Sequence, residues 1–165
     1  MSYFVTGATG FIGRHLVSNL LKRTGMIHVL VRKDSQKKFD ALAKQAGWDL
    51  KRITVVTGDM TQPRCGLTPA QVRSLSGKIK HFFHLAAIYD LAASAEAQRA
   101  ANIDGTQHAL DLGVALKTGV FHHTSSIAAA GLYPGIFRED MFKEAEGLDD
   151  PYLRTKHESE GLVRD

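Results

Sequence analysis

Residues 2–21, SYFVTGATGFIGRHLVSNLL, decide the fold. The apolar run 2–6 stops at Gly7, and Gly7, Gly10 and Gly13 form a G-x-x-G-x-x-G turn in which Phe11, Ile12, His15, Leu16 and Leu20 begin a helical repeat that ends at Thr24 and Gly25. Strand, glycine turn and helix follow one another directly. Small residues let backbone N–H groups come close to a pyrophosphate, and the helix N-terminus adds unpaired donors and partial positive charge. Thr6, Gly7, Thr9, Gly10, Phe11, Ile12, Gly13 and Arg14 are therefore the residues expected to hold a dinucleotide here.

The alternation continues outward. MIHVLVR (26–32) is a second β-branched apolar run, SQKKFDALAKQAG (35–47) a helix with Ser35 as its expected cap, and RITVVTG (52–58) a third strand. Thr68 before Pro69 has the form of a cap and first helical residue, and KIKHFFHLA (78–86) is a fourth strand. A helix is expected over roughly 94–116, with Ala95, Ala101, Ile103, Ala109, Leu110 and Val114 along it and Gly105 inside it; GVFHHTSS (119–126) is a fifth strand. Strands that are apolar throughout and joined by helices require a parallel sheet covered on both faces. Right-handed crossovers make that a doubly wound, Rossmann-type α/β domain. Residues 131–149 break the pattern with glycine, proline and mixed charge, and are expected to form a long loop beside the site.

A chain of 165 residues, 44% hydrophobic and 23% charged, suits one soluble domain with its own core. No apolar stretch approaches the length of a membrane span, and no export leader is legible before the first strand, so a cytoplasmic protein is expected. Cys65 is the only cysteine, which excludes an intrachain disulfide and a thiolate metal cluster. The net charge of +4 is spread along the chain, which speaks for a phosphorylated cofactor or solvated faces over nucleic acid.

At the end of the second strand an NAD-binding protein normally carries an acid for the ribose hydroxyls. Here Arg32 and Lys33 stand there, with Arg14 in reach, and a guanidinium fork matches a 2′-phosphate. NADP(H) is thus expected over NAD, with Asp34 as the residue that would speak for a ribose instead. Asp59, after the third strand, either accepts from the adenine amino group or shapes a turn.

The stretch DDPYLRTKHESEG (149–161) sets Tyr152 and Lys156 one helical turn apart, on one face of a helix that Asp150 and Pro151 begin. A phenol is a poor acid–base group near neutral pH until a neighbouring ammonium favours its anion. A serine at the carboxyl edge of the fifth strand, Ser126 or Ser125, could donate to a substrate carbonyl.

TGATGFIG, GDM, HLAA, NIDGT, TSSIAAAG and YLRTK occur in the order seen in extended short-chain dehydrogenase/reductases, which the whole chain resembles. The longer strings HHTSSIAAAGLYPGIFREDMF and PYLRTKHESE are most similar to the N-terminal reductase domain of bacterial NADPH-dependent fatty acyl-CoA reductases. The resemblance implies Ser126, Tyr152 and Lys156 as catalytic residues, with Tyr152 and Lys156 also among the cofactor-binding residues and Lys156 holding the nicotinamide ribose. It adds Met60, Ala86 and Ala87 to the cofactor-binding residues and leaves Asn102 a bracing role. It implies hydride transfer from NADPH to the carbonyl of a fatty acyl-CoA thioester or fatty aldehyde. Relatives continue past the equivalent of Asp165, so residues 1–165 are expected to be an amino-terminal NADP-binding fragment whose sheet lacks its last strands, with self-association as a consequence.

The eight histidines are expected to be satisfied within the fold and not to ligate metal, because neighbours in a strand point to opposite faces. Two other readings of the same motifs are a non-catalytic NADP-binding sensor or scaffold and an enzyme acting on nucleotide sugars.

Overall fold

The computed structural model describes residues 2–90 and 92–164. Five parallel strands form one sheet in the order β3-β2-β1-β4-β5, with β1 at Ser2–Thr6, β2 at Met26–Val31, β3 at Ile53–Thr57, β4 at Ile79–His84 and β5 at Val120–His123. The strand order reverses direction at β1, which puts the crevice for a ligand above the ends of β1 and β4.

Side-chain alternation along β1 splits the core in two. Tyr3 and Val5 face Val17 and Leu20 of α1 (Phe11–Leu20) and Phe39 of α2 (Gln36–Gln45). Phe4 faces the other way, its ring tilted against Phe82 at 4.8 Å among Ala109, Leu112 and Leu116. Each such fully buried aromatic contributes about 2–3 kcal/mol from area removed from water. Arg52 donates to the carbonyls of Leu21, Arg23 and Gly25, and so holds the turn after α1.

Helix α1 begins at Phe11 as expected, but its buried face is Gly13, Val17 and Leu20, and Phe11 and Ile12 are 73% and 54% exposed. The cause is Gly13. A Cβ there would stand 2.1 Å from the Gly7 oxygen, so the turn can close only with this position facing it, and that rotates the helix. Ser35 occupies the cap position of α2 but donates its hydroxyl to Asp34 instead of accepting from the helix. Thr68, by contrast, forms a full capping box with Gln71 at the start of α3 (Pro69–Leu75).

The long helix is not regular. α4 (Ala95–Arg99) and α5 (Gly105–Ala115) are joined by a π turn over Ala100–Asp104, which buries Ala101, Asn102 and Ile103 in succession. Val114 is 80% exposed and does not line the core. The last helix, α6, spans Pro151–Arg164, and the Asp150 carboxylate accepts from the Tyr152 and Leu153 amides. Residues 131–149 fold back onto it: Phe142 stacks on His157 at 4.2 Å, and Arg154 and Arg164 bind carbonyls of Leu148, Asp149, Glu139 and Met141. No helix among the described residues is long and apolar enough to cross a membrane.

Candidate active site

A cleft of about 340 Å³ opens at the carboxyl ends of β1, β2, β3 and β4. Gly7, Thr9 and Gly10 form one wall, Arg32, Ser35 and Lys38 close the end beyond β2, Asp59 and Met60 come from the exit of β3, and Ala86, Ala87 and Ile88 from the exit of β4. Gly7 has φ +72°, and a Cβ there would meet the Ala86 nitrogen at 2.7 Å, so the turn packs directly on the β4 exit. Gly10 differs, because a Cβ would meet only the Gly7 oxygen, at 3.3 Å. Packing within the chain leaves more room here than at Gly7, and that room opens on the cleft at the α1 N-terminus. The residues present therefore fit a dinucleotide diphosphate.

Of the sequence-derived cofactor residues, Gly7, Thr9, Gly10, Arg32, Asp59, Met60, Ala86 and Ala87 line this cleft. Phe11 and Arg14 do not. They line a neighbouring groove with Lys38, where the Arg14 guanidinium lies over the Phe11 ring at 5.0 Å. Lys33 faces a third groove, with Thr57 and Gln62. Gly13 is spent on the turn, and Ile12 lies on the exposed face of α1. Thr6 is fully buried and has no surface to offer a ligand. Its Oγ1 accepts from the Leu85 and Ala86 amides and meets His84 Nδ1 at 2.9 Å, so it braces the cleft instead of lining it. Asp59 Oδ1 accepts from the Thr61 amide and hydroxyl, which makes it a turn former as well as a wall of the cleft.

Sequence reasoning misses Lys38 and Ser35 as cleft residues. A signal for them exists: with Arg32 at the strand end, the first turn of the following helix is the next place a basic side chain reaches the same point. Arg32 itself is 60% exposed and pairs at 3.6 Å with Asp34, so Asp34 holds the guanidinium.

The Tyr–Lys pair sits on the same rim, beyond Ile88, and the cleft does not extend to it. Asn102 makes the connection. Its amide oxygen accepts from the Ile88 N–H at 2.8 Å, and its nitrogen donates to the Ile88 oxygen and to Thr155 Oγ1, each at 3.2 Å. Thr155 lies between Tyr152 and Lys156. The π turn is what brings Asn102 to this position, so the bracing role is built into the helix irregularity. Tyr89, next to Ile88, sets its ring edge-on to Tyr152 at 5.2 Å.

A second strut runs beneath. Thr106 donates its hydroxyl to the Asn102 oxygen, so His84 Nε2 donates to Thr106 Oγ1 and Nδ1 accepts from Thr6. His84 is thereby a neutral imidazole; burial, then His123 and Lys156, push its pKa down to about 3. Lys156 is 3% exposed and donates to the Thr124 oxygen at 3.3 Å; burial lowers its pKa against the opposing pull of Glu160.

The adjacent serines part company. Ser125 donates to Glu160 Oε2 at 2.5 Å. Ser126 Oγ accepts from the Ala128 amide at the start of a short turn, and Ser126 lines a separate groove of about 220 Å³ with Ile127, Phe137, Glu160 and Arg164. Ser126 and the cleft are thus not in one cavity.

Not all histidines are satisfied. His122 bonds His81 at 3.0 Å on one sheet face, but both ring nitrogens of His123, on the other, lack a partner among the described residues, as does Nδ1 of His28. Among the described residues no three histidine, cysteine, aspartate or glutamate side chains gather as a metal site.

The profile of the male sterility protein family of NAD-binding domains matches residues 5–165. The chain belongs to that family, within the extended short-chain dehydrogenase/reductases. It is 31% identical over 173 residues to a polypeptide of the linear gramicidin synthase of Brevibacillus parabrevis, covering 96% of this chain and 3% of that one. It is 27% identical over 169 residues to a Drosophila melanogaster protein provisionally assigned as a fatty acyl-CoA reductase, covering 93% of this chain and 30% of the other. The terminal R domain from the myxalamid PKS-NRPS biosynthetic pathway superposes with a TM-score of 0.84 at 32% identity, covering 99% of this chain and 45% of that structure. The family match carries a nicotinamide cofactor with it, in agreement with the cleft. The chain spans less than half the length of each of these relatives.

Proposed function

We propose that this chain is the cofactor-binding and catalytic part of an NADPH-dependent reductase of a fatty acyl-CoA thioester or fatty aldehyde. The observation that carries the reading is Asn102, whose one amide clamps the cleft wall at Ile88 and the Tyr–Lys helix at Thr155. This clamp supports a reading in which nucleotide and phenol share one rim. The choice of NADPH rests on Arg32, Ser35 and Lys38 around the end of the cleft beyond β2, where a 2′-phosphate finds a guanidinium, a hydroxyl and an ammonium. The acyl substrate is supported by the fatty acyl-CoA reductase assignment of the Drosophila relative.

With its diphosphate held along the cleft, NADPH would supply a hydride to the carbonyl carbon. Tyr152 gives its hydroxyl proton to the carbonyl oxygen as the carbon–oxygen π bond becomes a C–O–H single bond. Ser126, whose proton is not spent on Glu160, donates a hydrogen bond to that oxygen. Lys156 holds the nicotinamide ribose and offsets negative charge at Tyr152. With a thioester, the resulting hemithioacetal breaks its C–S bond, the thiol leaves with a proton, and an aldehyde remains; a second hydride and proton give the alcohol.

Two substitutions test the two halves of this reading. Arg32→Glu weakens NADPH binding by at least tenfold and NADH binding little, and equal losses in a fluorescence titration would remove the 2′-phosphate assignment. Tyr152→Phe in the full-length protein lowers turnover by at least a hundredfold at nearly unchanged NADPH affinity. Turnover at the wild-type rate would take Tyr152 out of the mechanism.

A further inference from the structure

The face of α6 that carries Tyr152 and Lys156 continues at the same four-residue interval with Glu160 and Arg164. Glu160 is tied at both oxygens. Oε2 accepts the Ser125 hydroxyl at 2.5 Å and Oε1 the Arg164 guanidinium at 2.8 Å. Its side chain is 18% exposed.

The consequence for the two serines follows from their hydrogen bonds. Ser125 spends its proton on Glu160. Ser126, in a groove that Glu160 and Arg164 also line, accepts from the Ala128 amide and keeps its own proton to donate. Without that anchor, two neighbouring hydroxyls at the strand end have equal claim to a substrate oxygen.

The consequence for Lys156 is electrostatic. Lys156 is 3% exposed, and its ammonium makes one hydrogen bond among the described residues, to the Thr124 oxygen. Of the titratable groups around it, β4 contributes His84 and β5 contributes His123, both kept neutral by burial, and α6 contributes Glu160. Glu160 is the carboxylate in that set. Burial works against its charge, but the hydrogen bonds from Ser125 and Arg164 outweigh it, so the group titrates below the usual carboxylate range.

We infer that Glu160 is a positioning residue for the reactive constellation: it commits the Ser125 hydroxyl and so leaves Ser126 as the free donor, and it is the counter-charge that keeps Lys156 an ammonium in its buried seat. This rests on the reading of Tyr152 and Lys156 as the reactive pair.

The test separates charge from shape. Glu160→Gln keeps an acceptor for Ser125 and removes the charge; Glu160→Ala removes both. In NMR titrations of lysine side chains labelled at Cε and Nζ, the Lys156 midpoint falls by about one pH unit in Glu160→Gln, and unfolding measured alongside verifies that the variant is folded. An unmoved midpoint overturns the electrostatic role. In the full-length protein Ser126→Ala loses about a hundredfold in turnover and Ser125→Ala less than tenfold. Equal losses from the two serine variants overturn the selection role. Absence of wild-type turnover with any acyl-CoA or aldehyde would refute the proposed reaction, whereas the Lys156 titration, which needs neither cofactor nor substrate, still decides for or against Glu160.

Discussion

The glycine turn is held at the rim of the sheet by backbone alone, whereas α6 is held there by side chains from elements far apart in sequence. Gly7 and Gly13 pack against the Ala86 nitrogen and the Gly7 oxygen with no room for a Cβ. On α6, Thr155 receives Asn102 from the π turn, Lys156 reaches Thr124 beyond β5, and Glu160 takes Ser125. The first region is determined by what is absent from two residues, Gly7 and Gly13, and at those two it tolerates almost no change. The second is a set of about 1 kcal/mol hydrogen bonds, each replaceable at modest cost to stability and larger cost to alignment.

The strongest way to break that contrast lies within the glycine turn. Gly7→Ala forces a Cβ to 2.7 Å from backbone at φ +72°, so destabilisation of about 3 kcal/mol or more is expected from overpacking and left-handed strain together. Gly10→Ala meets one atom at 3.3 Å, and a change below about 1 kcal/mol is expected, with NADPH affinity reduced at least tenfold because the methyl group occupies the approach to the helix N-terminus. Urea unfolding and cofactor titration on both variants provide the measurement. Equal stability losses would mean that the turn is one steric unit; intact NADPH binding in Gly10→Ala would mean that the diphosphate does not lie where the glycine leaves room.

The same contrast explains what can be read from the sequence. The order of strands and helices, the turn, the Thr68 capping box and the Asp150 start of α6 are local signals, each settled by residues a few positions apart. Periodicity announces a helix in α1 but not its rotation, and it assigns Phe11 and Ile12 to a core that Gly13 turns away from them. Likewise it promises a regular helix through Asn102, because nothing in the spacing of apolar residues reveals that one amide will be satisfied by Ile88 and Thr155 at once. Thr6 shows the limit most clearly: in sequence it belongs to the turn, yet its partner is His84, 78 residues away, and that pairing buries it. Lys38 and Glu160 acquire their places only once α2 and α6 are set against the strands.

A smaller effect sharpens the contrast by using acid. His123 lies under the α6 half, its pKa pushed down to about 4 by burial and then by Lys156, with Glu160 opposing, and neither ring nitrogen has a partner among the described residues. Between pH 6.5 and about 4 the unfolded chain binds a proton at this residue that the folded chain refuses, so stability complete above pH 6.5 is lost as pH falls through that window. With a discount for partial exposure, His123 contributes a slope of about 1 kcal/mol per pH unit. His84 adds a slope of the same sign that continues to about pH 3, and its bonds to Thr6 and Thr106 make it shared by both halves. His123→Phe retains a ring to stack on His84 and removes one titration without breaking a hydrogen bond. The variant is therefore expected to lose less stability than the parent between pH 6 and 5. Amide exchange at pH 5, corrected for intrinsic rates, should show weakened protection in α6 while β1 and α1 stay protected, and His123→Phe should restore the α6 amides. A uniform loss over both regions would mean that the Asn102 and His84 struts join the halves into one cooperative unit, so that an imidazolium beside Lys156 is felt as strongly at Gly7 as at Tyr152.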